Sequence, residues 1–203
     1  MGVLEKAGDA AKGLWMRFAL RGVRYSDDYA RLDSAYRVPD PWRLGSEAER
    51  YRFEQTNRII VREFGRVGSL LEVGCGEGHQ TRRLREVCER VHGIDVSPRA
   101  IERARAGCPG AAFSTCDLFS PDLAAGGRRF DLVVACEVLY YMRDVPAAVR
   151  RMGELGKGCL VTYFDGEMAA LDARLPALNG AGSAVFGSGG TEWKAVWWRD
   201  EKV

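Results

Sequence analysis

Glu72-Val73-Gly74-Cys75-Gly76-Glu77-Gly78 ends an apolar run, residues 69–73 (SLLEV), with three alternate glycines and leads straight into a stretch of helical character. An apolar strand that breaks at glycines and opens a helix is where an α/β sheet lets a ligand approach the main chain with no Cβ in the way. The spacing sets aside two common versions of such a loop. A dinucleotide loop needs G-x-G-x-x-G, and its third glycine would fall on His79; the phosphate loop G-x-x-x-x-G-K-[ST] is absent.

Outward from this loop, short apolar runs alternate with helical stretches. Strands are predicted at 69–73, 91–96 (VHGIDV), 111–114, 131–136 (DLVVAC) and 158–164 (GCLVTYF). Helices are predicted over 81–90, from the Ser97-Pro98 start signal, and around 145–155. That alternation argues for a parallel sheet covered on both faces. A helix over 167–178 and a hairpin pairing 184–186 with 193–198, turned by Gly187, Gly189 and Gly190, should close it. Upstream, a break at VPDPW (38–42) precedes a helix from Ser46 to Phe64, and nothing in 1–67 reads as a strand. The chain thus divides into a helical cap, 1–67, and an α/β core, 68–203.

Two acids extend the glycine signal. Asp95 ends the second strand about 20 residues after the loop, where a carboxylate takes both hydroxyls of a ribose. It is alternatively a helix cap, although Ser97 is better placed for that. Asp117 follows the third strand, where a carboxylate and its neighbouring amide read an adenine edge; the plain alternative is a loop aspartate. Three features at three consecutive strand ends converge on the crevice where open α/β sheets bind ligands.

These residues resemble the class I S-adenosylmethionine-dependent methyltransferases. LLEVGCGEG (70–78) is similar to their first motif, GIDVS (93–97) to the second, CDLF (116–119) to the third and FDLVVACEVLYYM (130–142) to the fourth. The likeness implies a Rossmann-like, doubly wound sheet of mostly parallel strands ending in an antiparallel hairpin, with S-adenosylmethionine as cofactor. It implies that Glu72, Gly74, Cys75, Gly76, Gly78 and His79 lie by the methionine part, Asp95 and Val96 by the ribose, Asp117 and Leu118 by the adenine, and Glu137 near the methyl group. DPWRL (40–44), ERYRF (49–53), EVLYY (137–141) and TEWKAVWWR (191–199) resemble more narrowly the nodulation protein S type, small N-methyltransferases acting on an amino sugar. Where that type commonly has Tyr-Glu before its lid helix, this chain has Ala48-Glu49.

Methyl transfer is an in-line displacement in which orientation alone supplies about 7–11 kcal/mol. An amine acceptor needs only a group to take its proton, and Glu137, Tyr140 and Tyr141 are the catalytic candidates. No N/D-P-P-Y/F follows the fourth strand, which argues against a base-amino acceptor. Neither His79 nor His92 is placed as the histidine base of an O-methyltransferase, and there is no acidic cluster for a metal. Arg50, on the helix before the core, is the candidate for the methionine carboxylate, with Trp42, Arg43 and Tyr51 beside it. Trp193, Trp197 and Trp198 read as sheet packing. The rival readings are O-methylation of a small-molecule hydroxyl and a non-catalytic cofactor-binding subunit.

Composition bounds the partners. Thirty basic against 28 acidic side chains leave +2, too little to point to a nucleic acid. No apolar run is long enough to span a membrane. The apolar residues among 3–24 read as a helix packed on its own domain. Six cysteines without a C-x-x-C pair suit a reducing cytoplasm. The expected partner is a small amine or sugar acceptor, and the expected assembly a monomer or homodimer.

Overall fold

A computed structural model describes residues 13–124, 127 and 129–199. Its strands are β1 (Val67–Val73), β2 (Cys88–Asp95), β3 (Ala112–Thr115), β4 (Phe130–Cys136), β5 (Gly156–Phe164), β6 (Gly182–Ser188) and β7 (Thr191–Arg199). The helices are α1 (Tyr29–Ala35), α2 (Glu47–Phe64), α3 (His79–Leu84), α4 (Pro98–Gly107), α5 (Val145–Leu155) and α6 (Asp165–Asp172). Residues 13–19 are also helical. All seven strands form one sheet in the order β3-β2-β1-β4-β5-β7-β6. The first five run parallel, and β7 pairs antiparallel with both β5 and β6.

The sheet is covered on both faces, as a parallel sheet must be. Along β1, Leu71 and Val73 point into one apolar cluster with Ile94, Val133 and Met152. Leu70 points into another with Ile60, Val91 and Leu132. The helix starts follow local chemistry: Ser46, Ser97 and Asp144 each accept a backbone N–H with the side chain, and Pro98 stands in the first turn of α4. Chain reversal between β1 and β4 puts helices on opposite sides of neighbouring strands and leaves a crevice at their carboxyl ends.

The expected architecture is present, with local corrections. The helix expected over 81–90 stops at Leu84, because Cys88–Arg90 already pair with β1 in the register Val67↔Cys88 and Ser69↔Arg90. The helix expected over 167–178 occupies Asp165–Asp172 instead. Pro176 disfavours helical backbone at Leu175, and Leu175 and Leu178 pack on the core outside any helix. Val96 lies just beyond β2, and β1 begins at Val67, inside the segment expected to be cap. Of the helix expected among residues 3–24, residues 3–12 lie outside the described residues. In the remainder Leu14 and Phe18 are exposed, while Ala19 and Val23 supply the buried contacts.

Truncating Leu71 to Ala removes a fully buried side chain from the central strand. A loss of about 2–5 kcal/mol is expected, read as a lower urea midpoint at unchanged m-value.

Candidate functional site

A cavity of about 430 Å³ opens at the carboxyl ends of the parallel strands. Strand order gives it two sides. The ends of β1, β2 and β3 contribute Glu72, Gly74, Asp95 and Asp117; the ends of β4 and β5 and the start of β7 contribute Glu137, Phe164 and Trp193. Trp193 reaches that place because it pairs directly with Phe164.

On the first side the glycine loop is tied down by Asp95. Its Oδ2 accepts the Gly76 amide at 2.9 Å and its Oδ1 the Ser97 amide at 2.9 Å. Gly74, Gly76 and Gly78 all have positive φ. A Cβ on Gly74 would come within 2.4 Å of Val138, which lines the same cavity. Glu72 is buried and accepts a hydrogen bond from the Thr81 hydroxyl at 2.5 Å. Burial pushes Glu72 up to about 8 and Asp95 up to about 6, against the hydrogen bonds that favour their charged forms.

On the second side Glu137 has left-handed backbone, φ 61. Its Oε1 accepts the Thr162 hydroxyl at 3.0 Å and its Oε2 the Phe164 amide at 3.1 Å, with the Tyr140 hydroxyl at 3.4 Å. Burial raises this carboxyl too, opposed by the Arg52 guanidinium. The Tyr140 and Tyr141 rings lie 4.7 Å apart, and burial is the main cause that raises both phenols.

The residues before β1 close the cavity. Trp42 packs on Tyr36, ring centroids 4.9 Å apart, and its indole N–H donates to the Tyr141 hydroxyl at 3.1 Å. Arg52 is 2 % exposed and bonds Glu49 and Gln80. Gln80 Nε2 is buried at the cavity wall with no hydrogen-bond partner among the described residues.

Of the residues singled out from sequence, Glu72, Gly74, Cys75, Gly76, Asp95, Val96, Asp117, Leu118, Glu137, Tyr140 and Tyr141 line this cavity. Three do not. Gly78 serves the turn, its φ of 77 admitting the chain to α3. His79 lies outside it, 3.7 Å from Glu77 and 3.3 Å from Arg82. Arg50 points away from the cavity and donates to the Gly45 carbonyl at 3.0 Å. Helical phase explains the last correction. Ile59, Ile60, Thr56, Phe53 and Arg52 share the buried face of α2, and Arg50 sits two positions further, on the opposite side. Counting back in threes and fours from Ile59 and Ile60 would have found Arg52. Trp193, expected only to pack the sheet, also walls the cavity, whereas Trp198 is core and Trp197 lies under Arg62. Tyr51 packs on Phe186, outside the cavity. Tyr36, Gln80 and Phe164 carried no local signal.

In the folded, ligand-free protein Glu72 and Asp95 keep protons to about 8 and about 6, where the unfolded chain releases them from the ordinary values of 4.5 and 3.8. The folded state binds more protons in that interval, so stability is greatest below it and falls as pH rises. The melting temperature of the ligand-free protein is therefore expected to decline from pH 5 to pH 8, and Glu72→Gln to flatten the decline. A flat wild-type profile by scanning calorimetry would contradict the burial of these carboxyls.

Comparison with known proteins gives a consistent set. Residues 26–159 match the family described as nodulation protein S (NodS). Nodulation protein S of Bradyrhizobium diazoefficiens is 40% identical over 135 residues, covering 62% of this chain and 62% of that relative. Its counterpart in Rhizobium tropici is 34% identical over 135 residues, 66% of this chain and 56% of the relative. The chain thus spans less than two thirds of these curated relatives. Among solved structures, N-methyltransferase NodS from Bradyrhizobium japonicum WM9 in complex with S-adenosyl-l-homocysteine aligns with TM-score 0.67 at 25% identity. That alignment covers 86% of this chain and 98% of the other. A ubiquinone biosynthesis O-methyltransferase of Azorhizobium caulinodans is 26% identical over 150 residues, 68% of this chain and 55% of its own.

Proposed function

The chain belongs to the nodulation protein S family, and from that premise we propose that it is an S-adenosylmethionine-dependent methyltransferase that N-methylates an amine on a small molecule. An amino sugar is the acceptor class suggested by the relatives' type. The observation that carries the proposal is the polar set around one cavity: buried Glu72, Asp95 and Arg52, part-buried Glu137, and the Gln80 Nε2, which has no hydrogen-bond partner among the described residues.

That set suits the cofactor's chemistry. Bound there, S-adenosylmethionine supplies a methyl group already activated on a sulfonium. Asp95, preset by the Gly76 and Ser97 amides, keeps lone pairs for a ribose diol. Asp117 and Leu118 stand at the next strand end for the adenine. Glu72 offers a carboxyl to an ammonium, whose charge favours the ionised form of that carboxyl. Arg52 and Gln80 together offer donors to a carboxylate, the role sequence reasoning had assigned to Arg50. Glu137 lies across the crevice, its two oxygens fixed by Thr162 and Phe164, to orient the acceptor nitrogen and take its proton. Tyr140 shares that wall. Residues ahead of Val67, with Tyr36 and Trp42, act as the cap that excludes water.

Calorimetric titration with S-adenosylhomocysteine tests the binding part. Asp95→Ala and Arg52→Ala should each weaken binding at least tenfold, and Arg50→Ala by less than twofold. Absence of binding to the unaltered protein would overturn the proposal.

Glu137→Gln tests the chemistry. It should lower kcat at least a hundredfold at unchanged homocysteine-product affinity. Mass spectrometry of the product separates N- from O-methylation, the reading favoured by the ubiquinone-pathway relatives.

A further inference from the structure

Ser46-Glu47-Ala48-Glu49 has the spacing of a capping box, in which the glutamate three residues after the cap turns back to the cap's own amide. Half of the box is present: the Ser46 hydroxyl accepts the Glu49 amide at 3.3 Å. The other half is replaced. The Ser46 amide donates to the Arg43 carbonyl at 2.9 Å, and the Glu49 carboxylate runs forward along α2 to Arg52. Its Oε2 accepts from Arg52 Nε at 2.8 Å and lies 2.7 Å from Nη2.

We infer that Glu49 is a positioning residue: it latches the Arg52 guanidinium so that the remaining N–H groups meet the carboxylate of the cofactor's methionine part. The inference rests on the proposed methyl transfer, with Arg52 as that carboxylate's partner, and adds the residue that holds Arg52 in place.

The pair differs from an ordinary surface ion pair. Charges three residues apart on a helix contribute little when both are solvated. Here the Arg52 side chain is 2 % exposed and that of Glu49 18 %, and both line the cavity. The guanidinium is held on its other sides as well. Its central carbon lies 4.7 Å from the Phe53 ring centroid, and Nη1 donates to the Gln80 oxygen at 2.8 Å. A guanidinium carries five N–H groups in a rigid fork. With Glu49 along the Nε edge, donors remain on the terminal nitrogens. A free arginine side chain loses much rotamer freedom when a ligand fixes it. One already held loses little, and the ligand binds more tightly for it.

Glu49 also acts through its charge, in two opposed directions. Burial would loosen Arg52's hold on its proton, and Glu49 restores that hold by charge and by hydrogen bond. The same charge repels an arriving carboxylate. Substitution separates orientation from charge: glutamine keeps an oxygen for Nε without the charge, and alanine keeps neither.

The test uses two ligands that differ only in the carboxylate, S-adenosylhomocysteine and its decarboxylated analogue, 5′-S-(3-aminopropyl)-5′-thioadenosine. Each is titrated calorimetrically into the unaltered protein, Glu49→Ala and Glu49→Gln at pH 7.5. The unaltered protein should bind S-adenosylhomocysteine at least tenfold more tightly than the analogue. Glu49→Ala should weaken S-adenosylhomocysteine at least fivefold and the analogue less than twofold. Glu49→Gln should bind S-adenosylhomocysteine no more than threefold less tightly than the unaltered protein does. Equal weakening of both ligands by Glu49→Ala marks a merely structural role and overturns the inference. Tighter binding of S-adenosylhomocysteine by Glu49→Ala leaves Glu49 only a competing charge and overturns it too. Equal affinity of the unaltered protein for the two ligands overturns the inference and leaves methyl transfer standing. Failure of the unaltered protein to bind S-adenosylhomocysteine overturns both. The ratio of affinities does not depend on the fraction of protein folded, and Glu49→Ser, equally short, repeats the measurement where the alanine variant does not fold.

Discussion

Asp95 is the carboxylate on which the geometry of the crevice depends. One oxygen holds the Gly76 amide and the other the Ser97 amide, so a single buried side chain joins the glycine loop to the start of α4. The Cys75 amide, donating to the Ile94 carbonyl at 2.9 Å, fixes the loop from its other side. From Ser97 the connection passes into the cap: its hydroxyl donates to Asp33 at 2.6 Å while accepting the Ala100 amide. A second tie runs through Glu77, whose oxygens accept the Asp40 amide and the Arg103 guanidinium. Glu77 is held below the usual carboxylate range: burial raises it, but bonds from His79, Arg103 and Asp40 outweigh that. Loop and cap are therefore one mechanical unit, and the glycine loop's acid faces the cap and not the cavity.

Charge balance in the cavity follows from strand order. Glu72, Asp95 and Glu137 come from the ends of β1, β2 and β4, three strands that are neighbours in space. Burial is the main cause that raises all three, with a smaller push from Asp95 on Glu72, from Asp33 on Asp95 and from Glu49 on Glu137. Arg52 is the counterweight. Burial alone would lower its affinity for a proton, yet Glu49 and Glu137 more than restore it. Removing Arg52 would leave Glu49 and Glu137 without their shared counter-charge.

How far the residues announce this arrangement depends on whether the signal is local. Strand ends, Gly74 to Gly78, and the caps Ser46 and Ser97 are set by near neighbours, and the sheet with its terminal hairpin was legible from them. So were the cavity positions at strand ends, since alternation of strand and helix dictates where those ends meet. Two helix limits were misread for identifiable reasons. Glu89 and Arg90 look helical in isolation but are committed to the β1 ladder, and Pro176 was passed over as a breaker. Arg50 has the charge expected of a carboxylate partner but not the helical phase, which belongs to Arg52 on the buried face of α2. Tyr36 and Trp42 were beyond reach as a pair closing the site, because their partners, Gly76 and Tyr141, lie far along the chain.

The closing of the cavity carries a backbone cost that sheds light on its purpose. Among the described residues, those with positive φ other than glycine are Tyr25, Asp27, Asp40, Arg43 and Glu137. Four belong to the cap and the fifth is the acid facing it. Such conformations are disfavoured for L-residues and persist only where surroundings hold them. Here they are held. The Tyr25 and Asp27 amides donate to the Tyr140 and Tyr141 carbonyls, the Leu44 and Gly45 amides to the Asp40 carboxylate, and the Glu137 amide to the Thr162 carbonyl. The strap over residues 25–27 is thereby bonded to the same short loop that presents the two tyrosines. The strained backbone is thus that of the segments before β1 and of Glu137, while the loop after β1 uses glycines and is spared it. The two sides differ accordingly: glycine backbone is part of one wall, and the other is built of side chains whose backbone is held in disfavoured conformations.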